Sequence, residues 1–145
     1  MTNGPADDHR LGLQVVHRRY VPYSHAHYAG DLVDGAYVLA LFGDVATEVC
    51  IRSDGDEGLF ASYADVQFTA PVRAGDVLEV VATVTRVGTR SRDVEFEARV
   101  VCRGRPDATA SAAEVLDPHL VAVTARGTVV VPTVAASNRP RIENP

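Results

Sequence analysis

The sequence predicts an α+β fold in which an antiparallel β-sheet wraps around one long central α-helix. Two observations support this prediction. Residues 36–51 form an apolar run whose larger side chains recur at intervals of three and four residues, the spacing of one helix face. The second half of the chain instead alternates apolar and polar residues with a period of two, which is typical of strands with one face in a core. Together they favour a helix packed on one face of a sheet.

The elements that precede the helix are short. Residues 11–21 are rich in β-branched and aromatic side chains and predict a strand that ends at Pro22. Residues 23–34 have no clear period and predict an ordered loop. Apolar side chains cover two sides of the helix, so we expect protein to enclose most of its circumference. They are Val38, Leu41, Phe42, Val45 and Val49 on one side, and Leu39, Ala46 and Cys50 on the other.

Four strands are predicted after the helix. They cover residues 59–69, 77–87, 91–103 and 120–131, with turns at 74–76 and 87–89 and a longer loop at 104–117. The third of these strands has the clearest alternation. Its residues Val94, Phe96, Ala98 and Val100 should face the core, while the charged residues between them should face solvent.

The composition is that of an ordinary globular protein, with 46% hydrophobic and 23% charged residues. We expect residues 11–133 to form one domain, between a flexible N-terminal arm at 1–10 and a flexible C-terminal tail at 134–145.

The net charge of -5 argues against nucleic acid as a partner. The first residues resemble no signal peptide, and no segment has the roughly 18 uncharged residues of a membrane span, so we expect a cytoplasmic protein. Cys50 and Cys102 form no CxxC motif, and we interpret both as buried apolar side chains.

Two carboxylates interrupt the apolar pattern of the helix. Asp44 and Glu48 lie one turn apart on one face, and Tyr37 lies two turns before Asp44. Buried carboxylates are rare unless they are paired or functional, so this conflict marks a candidate site. Burial and mutual repulsion would raise the pKa of one of the two carboxyls. The alternative is a structural ion pair with an arginine such as Arg52 or Arg73.

Several local motifs resemble those of hot-dog fold proteins. The string FTAPVRAGDVL at residues 68–78 is similar to the F-x-x-P-V-x-x-G-D junction of acyl-CoA thioesterases with that fold, and VGTRS at 87–91 resembles their strand turn. The loop HYAGD at 27–31, followed by Gly35, resembles their N-x-x-G-D entry into the central helix. A histidine replaces the usual asparagine, and Asp34 stands where glycine or histidine is usual, which argues against plain thioester hydrolysis. The resemblance implies a hot-dog fold.

Three stretches resemble the β-aminoacyl-CoA ammonia-lyases more closely. They are AHYAGDLVDGA at residues 26–36, LFGDVATE at 41–48 and IRSDGDEGLF at 51–60. The resemblance extends over roughly residues 16–101. The acidic strings LFGDVATE and DGDEGLF are specific to these enzymes, whereas the P-V-x-x-G-D string alone marks only the fold.

The resemblance implies a carbon–nitrogen lyase that reversibly eliminates ammonia from a 3-aminoacyl-CoA thioester to give the 2-enoyl-CoA. It implies no metal and no prosthetic group, with coenzyme A entering as part of the acyl-CoA substrate. We expect a homodimer or a higher homo-oligomer, because the edges of such a sheet are commonly covered by a second copy. Two alternatives remain: a thioesterase that hydrolyses a small acyl-CoA, and a non-catalytic module that binds acyl-CoA or an acyl carrier.

The implied reaction requires groups that stabilise the thioester oxygen and groups that move protons. The helix N-terminus at Gly35 and Ala36 offers backbone N–H groups to the oxygen, and a glycine allows close approach. Asp34 either only caps this helix or also takes part in catalysis. Asp44 and Glu48 are candidates for proton transfer and for binding the substrate ammonium.

The remaining candidates lie near the helix or in the second half of the chain. We interpret His27 as a polar active-site residue, with a solvated side chain as the alternative, since His25 and His27 lack the third ligand of a metal site. Glu57 either belongs to an acidic surface turn or reaches the site of a neighbouring subunit. Tyr37 is a candidate for lining the acyl end. Three arginines are candidates for binding the coenzyme A phosphates, with solvated strand ends as the alternative: Arg73, Arg90 and Arg92.

Overall fold

The computed structural model describes residues 8–132 of the 145-residue chain. One long α-helix, α1, spans Gly35–Asp54. Seven strands lie in the described residues: β1 (Gln14–Tyr20), β2 (Ala26–Tyr28), β3 (Leu32–Val33), β4 (Leu59–Phe68), β5 (Val77–Val87), β6 (Ser91–Gly104) and β7 (Ala113–Val130). Short 3-10 turns at Tyr23–His25 and Ala29–Asp31 flank β2. The predicted α+β architecture with one long helix is confirmed.

Five strands form one antiparallel sheet in the order β1-β5-β6-β7-β4. The chain therefore leaves one edge of the sheet after β1, forms α1, and returns at the opposite edge as β4. The short strands β2 and β3 pair with each other in the loop that enters the helix. The two edges of the sheet are consequently the strands that lie before and after the helix in the sequence.

The ends of α1 are closed by side chains and backbone groups that the sequence supplies locally. Asp34 is the N-cap, and its Oδ1 accepts a hydrogen bond from the Tyr37 backbone N–H at 2.9 Å. At the other end, Gly55 adopts a left-handed conformation with φ of 65°, and its N–H donates to the Ile51 carbonyl. The capping role predicted for Asp34 is confirmed.

The core lies between one side of α1 and the inner face of the sheet. The helix contributes the predicted apolar face, of which Val45, Val49 and Phe42 are fully buried. The Phe42 ring stacks on Phe96 of β6 with 5.0 Å between ring centroids. The inward positions of β5 and β6 follow the predicted alternation, and all are buried: Leu78, Val80, Ala82 and Val84 on β5, and Val94, Phe96, Ala98 and Val100 on β6.

One side of α1 is left exposed by the sheet. A stripe along one side of the helix is exposed to solvent: Ala36, Ala40, Asp44, Thr47 and Ile51. The Ile51 side chain is 51% exposed. A single sheet layer can bury only the sides of a helix that face it, so the opposite side of this chain stays open. Most of the circumference is thus buried or half-buried as predicted, while one side of the helix is exposed.

Two of the predicted strands differ from the observed ones. β7 begins at Ala113, well before the predicted residue 120, because its first residues pair with the end of β6, with Cys102 opposite Val115. In β4, register shifts between Phe60 and Ser62 and between Ala64 and Gln67 break the period of two. Because of these bulges, Tyr63 packs against the core although it is out of phase with the expected period of two.

The remaining structural expectations concern the termini and the cysteines. Most of the predicted N-terminal arm and all of the tail at 134–145 lie outside the described residues. Arg10, which the arm was expected to include, donates from Nη1 to Asp54 Oδ1 at 3.0 Å.

Cys50 is buried as predicted, and burial raises the pKa of its thiol to about 11. Cys102 is only half-buried. Within residues 8–132, no helix has the length and apolar character needed to cross a membrane.

Candidate active site

The N-terminus of α1 presents backbone N–H groups that the fold leaves available. The first residues of any α-helix have no intrahelical acceptor for their N–H groups. The cap by Asp34 takes the N–H of Tyr37, which is the third helical residue. The N–H groups of Gly35 and Ala36 precede it and are the donors that a ligand oxygen would meet. Their predicted role, donation to a thioester oxygen, stays a prediction.

These donors lie beside a cavity of about 440 Å³. Its lining is mostly apolar and comes from the entry loop, the first turns of α1, the end of β4 and the segment after it: Tyr28, Val33, Asp34, Gly35, Val38, Phe68, Thr69, Ala70, Pro71, Val72 and Val123. Asp34 is the one ionisable carboxyl in this lining. An apolar cavity with a few polar groups at one end is the usual form of a small-molecule site.

The segment that forms one wall of this cavity is held by a buried carboxylate. Asp76 is 1% exposed, and it accepts hydrogen bonds from the Arg73 N–H at 2.8 Å and from the Arg103 guanidinium at 2.8 and 3.0 Å. The same segment pairs with the entry loop, since the Val33 N–H donates to the Val72 carbonyl at 2.9 Å. The G-D of the predicted junction motif is therefore a structural anchor for the cavity wall.

Two predicted residues and one additional histidine surround the cap. His27 Nδ1 lies 3.7 Å from Asp34 Oδ2, the carboxylate oxygen that the cap does not use, and the imidazole is 57% exposed. The His25 ring packs on the Tyr37 ring with 4.4 Å between centroids. The Tyr37 hydroxyl is buried and has no hydrogen-bond partner among the described residues. The structure thus brings His27, Asp34 and Tyr37 together, although the sequence had only placed Tyr37 on the same helix as Asp44 and Glu48.

A second cavity, of about 370 Å³, lies along the exposed side of α1. Asp44 and Glu57 both line it, together with Leu59 and Phe60 from the start of β4. Both carboxylates are exposed, and neither has a hydrogen-bond partner among the described residues. The expected burial of Asp44 is therefore wrong, but the structure does join it with Glu57 in one cavity.

The Glu48 carboxylate is bound to Arg52 and His17. Its Oε2 accepts a hydrogen bond from Arg52 Nε at 2.8 Å, and its Oε1 lies 3.0 Å from His17 Nε2 on β1. The hydrogen bonds from Arg52 and then from His17 lower the pKa of the Glu48 carboxyl. The prediction that a carboxyl of this pair has a raised pKa is wrong for Glu48. The alternative of an ion pair with Arg52 describes this residue better than a catalytic role, because both of its oxygens are occupied.

Arg92 also has a different role from the predicted one. Its side chain is 2% exposed, and its guanidinium donates two hydrogen bonds to the Asp54 carboxylate and two to the carbonyls of Gly88 and Ser91. A guanidinium enclosed and used in this way does not reach a phosphate in solvent, so the proposed binding of coenzyme A by Arg92 is wrong. Arg73 and Arg90 are exposed, and their predicted role stays a prediction.

The predicted site residues therefore form two groups in one chain. Asp34, His27 and Tyr37 surround the start of α1, whereas Asp44 and Glu57 lie along its side. Asp44 lies ten residues after Asp34 along the helix, which is a rise of about 15 Å. One small acyl group cannot span both groups within a single protomer.

Phe68 is a cavity residue that the sequence did not mark as part of a site. Its ring lies so close to Gly35 that a Cβ built on the glycine would be 2.6 Å from two ring carbons. Phe68 belongs to the junction motif and follows a strand, so its position at the helix start depends on how β4 and α1 pack. No local pattern in the sequence carries that information.

Comparisons with known proteins agree with this architecture. A family model described as the Thioesterase superfamily matches residues 31–106, just over half of the chain. The 3-aminobutyryl-CoA ammonia lyase of Acetoanaerobium sticklandii is 55% identical over 107 residues, which cover 74% of this chain and 85% of that protein.

Solved structures of related proteins are similar to this fold. The β-alanyl-CoA:ammonia lyase of Clostridium propionicum superposes with a TM-score of 0.80 at 35% identity, over 85% of this chain and 87% of that one. A hexameric hotdog fold thioesterase of Campylobacter jejuni superposes with a TM-score of 0.66 at 19% identity, over 81% of this chain and 82% of that one, and shows the fold alone. The predicted hot-dog fold is confirmed. This chain belongs to the Thioesterase superfamily and, within it, to the β-aminoacyl-CoA ammonia-lyase family.

Proposed function

We propose that this protein is a β-aminoacyl-CoA ammonia-lyase, which eliminates ammonia reversibly from a 3-aminoacyl-CoA to give the 2-enoyl-CoA. The observation that carries the proposal is the 55% identity to a 3-aminobutyryl-CoA ammonia lyase over most of that protein's length. The family model, which matches residues 31–106, covers α1 and the Asp34, Asp44 and Glu57 positions that border the two cavities. The geometry at the start of α1 supports an acyl thioester as the ligand, since N–H donors there adjoin an apolar cavity.

The reaction breaks one C–H bond and one C–N bond. A base takes a proton from the carbon next to the thioester, negative charge builds on the thioester oxygen, and the amine leaves the neighbouring carbon as ammonia. The proton on the base can then pass to the ammonia, so that ammonium is released. Acid–base groups and hydrogen-bond donors are sufficient for each step, and we propose no metal or prosthetic group.

The start of α1 is suited to the thioester. The N–H groups of Gly35 and Ala36 are placed to donate to its oxygen, and the helix dipole favours negative charge there. Asp34 Oδ1 accepts the capping hydrogen bond from the Tyr37 N–H, and the other oxygen, Oδ2, faces His27. We assign Asp34 and His27 to holding the substrate amine, because a carboxylate beside an ammonium keeps the nitrogen protonated, and a protonated amine can leave as neutral ammonia.

The proton-transfer groups are assigned to the second cavity. Asp44 and Glu57 are carboxylates without protein partners among the described residues, which is the state a base requires before it takes a proton. Since about 15 Å of helix separates Asp44 from Asp34, we propose that each site combines the helix start of one protomer with Asp44 and Glu57 of a second copy. The enzyme is then active only as a homodimer or a larger homo-oligomer.

Arg73 and Arg90 complete the assignment. Both are exposed, and Arg73 follows Val72 in the wall of the first cavity. A guanidinium binds phosphate through paired hydrogen bonds, so these two side chains are suited to the phosphates of coenzyme A outside the cavity.

Incubation of the protein with crotonyl-CoA and ammonium chloride tests the proposal. We expect the enoyl thioester absorbance to fall without release of free thiol, and the 3-aminobutyryl-CoA product to appear in mass spectrometry. Release of free thiol would instead support a thioesterase, the activity that gives the superfamily its name. Unchanged absorbance and no thiol, under conditions where the protein binds coenzyme A, would contradict both enzymatic functions.

A further inference from the structure

Phe68 lies at the point where β4 ends and the cavity at the helix start begins. A Cβ built on Gly35 would lie 2.6 Å from Cε1 and Cζ of the Phe68 ring. The edge of the ring therefore occupies the space above the first helical residue. The space left by the missing side chain of Gly35 is filled by Phe68, rather than being open to a substrate.

Phe68 is nevertheless weakly held. Its side chain is 56% exposed although it borders an apolar cavity. Val38, Val72 and Val123, which line the same cavity, are all buried, so they form its fixed floor and walls. Phe68 and Tyr28 are the two large apolar side chains of this lining that are exposed.

We propose that the Phe68 ring is the wall that limits the acyl group to a short aliphatic chain. This inference rests on the proposed function, because it takes the thioester oxygen to lie on the N–H groups of Gly35 and Ala36. The first acyl carbons then lie within a few ångströms of Gly35 and meet the ring edge. An apolar wall at this distance excludes additional methylene groups, each of which changes selectivity by roughly 10-fold or more.

The contact with Gly35 allows a compensation test. Gly35→Ala adds a methyl group that must displace the ring, whereas Phe68→Ala removes the ring. If the two residues share one space, the double variant Gly35→Ala/Phe68→Ala recovers binding of short ligands that Gly35→Ala alone has lost. Two independent sites would instead give losses that add.

The decisive measurement is binding of two thioethers that keep a carbonyl oxygen near the sulfur, S-(2-oxobutyl)- and S-(2-oxooctyl)-coenzyme A, by titration calorimetry. These thioethers can neither lose ammonia nor be hydrolysed, so the result is independent of the reaction that the enzyme catalyses. We expect the wild-type protein to prefer the oxobutyl ligand and Phe68→Ala to shift the oxooctyl-to-oxobutyl affinity ratio at least 10-fold toward oxooctyl. Tyr20→Ala is the matched control: Tyr20 is also 56% exposed but lies on β1, at the other edge of the sheet, and its removal should leave the ratio unchanged.

An unchanged ratio in Phe68→Ala would overturn the proposal, as would a wild-type protein that binds both thioethers equally. Phe68→Leu provides a second variant with a smaller volume change if Phe68→Ala does not fold. The outcome is separate from that of the crotonyl-CoA assay. A shifted ratio in a protein without ammonia-lyase activity would keep Phe68 as the acyl-chain wall and reject only the proposed reaction.

Discussion

The guanidinium of Arg92 forms a bidentate ion pair with the carboxylate of Asp54, the last residue of α1. Arg92 Nη2 donates to Asp54 Oδ1 at 2.7 Å, and Nε donates to Oδ2 at 3.0 Å. The Asp54 side chain is 15% exposed, and Arg10 also donates to it. The pair joins the helix C-terminus to the turn between β5 and β6, and Glu57 follows only three residues later.

Removal of Arg92 should destabilise the protein strongly. Arg92→Gln leaves a nearly buried carboxylate without its main partner, and we expect a loss of about 3–5 kcal/mol in the free energy of unfolding. Chemical denaturation of the wild-type and variant proteins measures this loss. Arg86→Gln is the control, because Arg86 pairs with Asp93 at the surface and its loss should change stability far less. A weaker affinity for coenzyme A at unchanged stability would restore the phosphate-binding role of Arg92.

The same pair predicts the acid stability of the protein. Burial alone raises the pKa of the Asp54 carboxyl, but the hydrogen bonds from Arg92, Ser53 and Arg10 outweigh it and lower the pKa to about 2. Because the folded pKa lies below the unfolded value of 3.8, Asp54 stabilises the fold above pH 4 and loses this contribution as pH falls toward 2. In circular dichroism titrations, Asp54→Asn should show a shallower loss of stability between pH 4 and 2 than the wild type. Parallel curves would mean that other carboxyls determine the acid transition.

Asp44 and Glu57 should be required for turnover, whereas Glu48 should not. Asp44→Asn and Glu57→Gln remove the proposed bases, and a loss of about 100-fold or more in kcat is expected for at least one of them. Glu48→Gln removes an ion pair with Arg52 and His17 and should keep kcat within a few-fold of the wild type. Steady-state kinetics with crotonyl-CoA and ammonium compare the three variants. A loss of turnover confined to Glu48→Gln would reverse the assignment.

Subunit mixing tests whether two protomers build one site. Asp34→Asn keeps a good N-cap, so this variant should fold but be inactive, as should Asp44→Asn. When the two inactive variants are refolded together, half of the dimers are mixed and carry one intact site, so about a quarter of wild-type activity should return. If Asp34 and Asp44 acted within one protomer, no mixed dimer would have an intact site and the activity would stay absent. The two variants assayed separately are the control.

The strands and the helix were largely predictable because their signals are local. The alternation in β5 and β6 decided which side chains are buried, and Asp34 followed by the apolar run marked the start of α1. The start of β7 at Ala113 was not predictable, since its first residues show no alternation of apolar and polar side chains, include Pro118, and pair with the far end of the long strand β6. The burial of Arg92 did leave a signal: it lies two residues before Val94 and so continues the inward face of β6. An arginine in phase with a buried face indicates a buried ion pair.

By itself, the sequence determined the fold class, the helix and its cap, and the acidic strings that mark the family. These depend on periodicity and on short motifs, which act over a few residues. Only the tertiary structure decided that Asp44 lies in the open with Glu57, that Glu48 is held by His17 and Arg52, and that Phe68 covers Gly35. Each of these contacts joins residues from separate elements, or depends on which side of α1 the sheet leaves uncovered. A one-dimensional pattern shows that a helix has an apolar face, but only packing shows how much of the helix is covered.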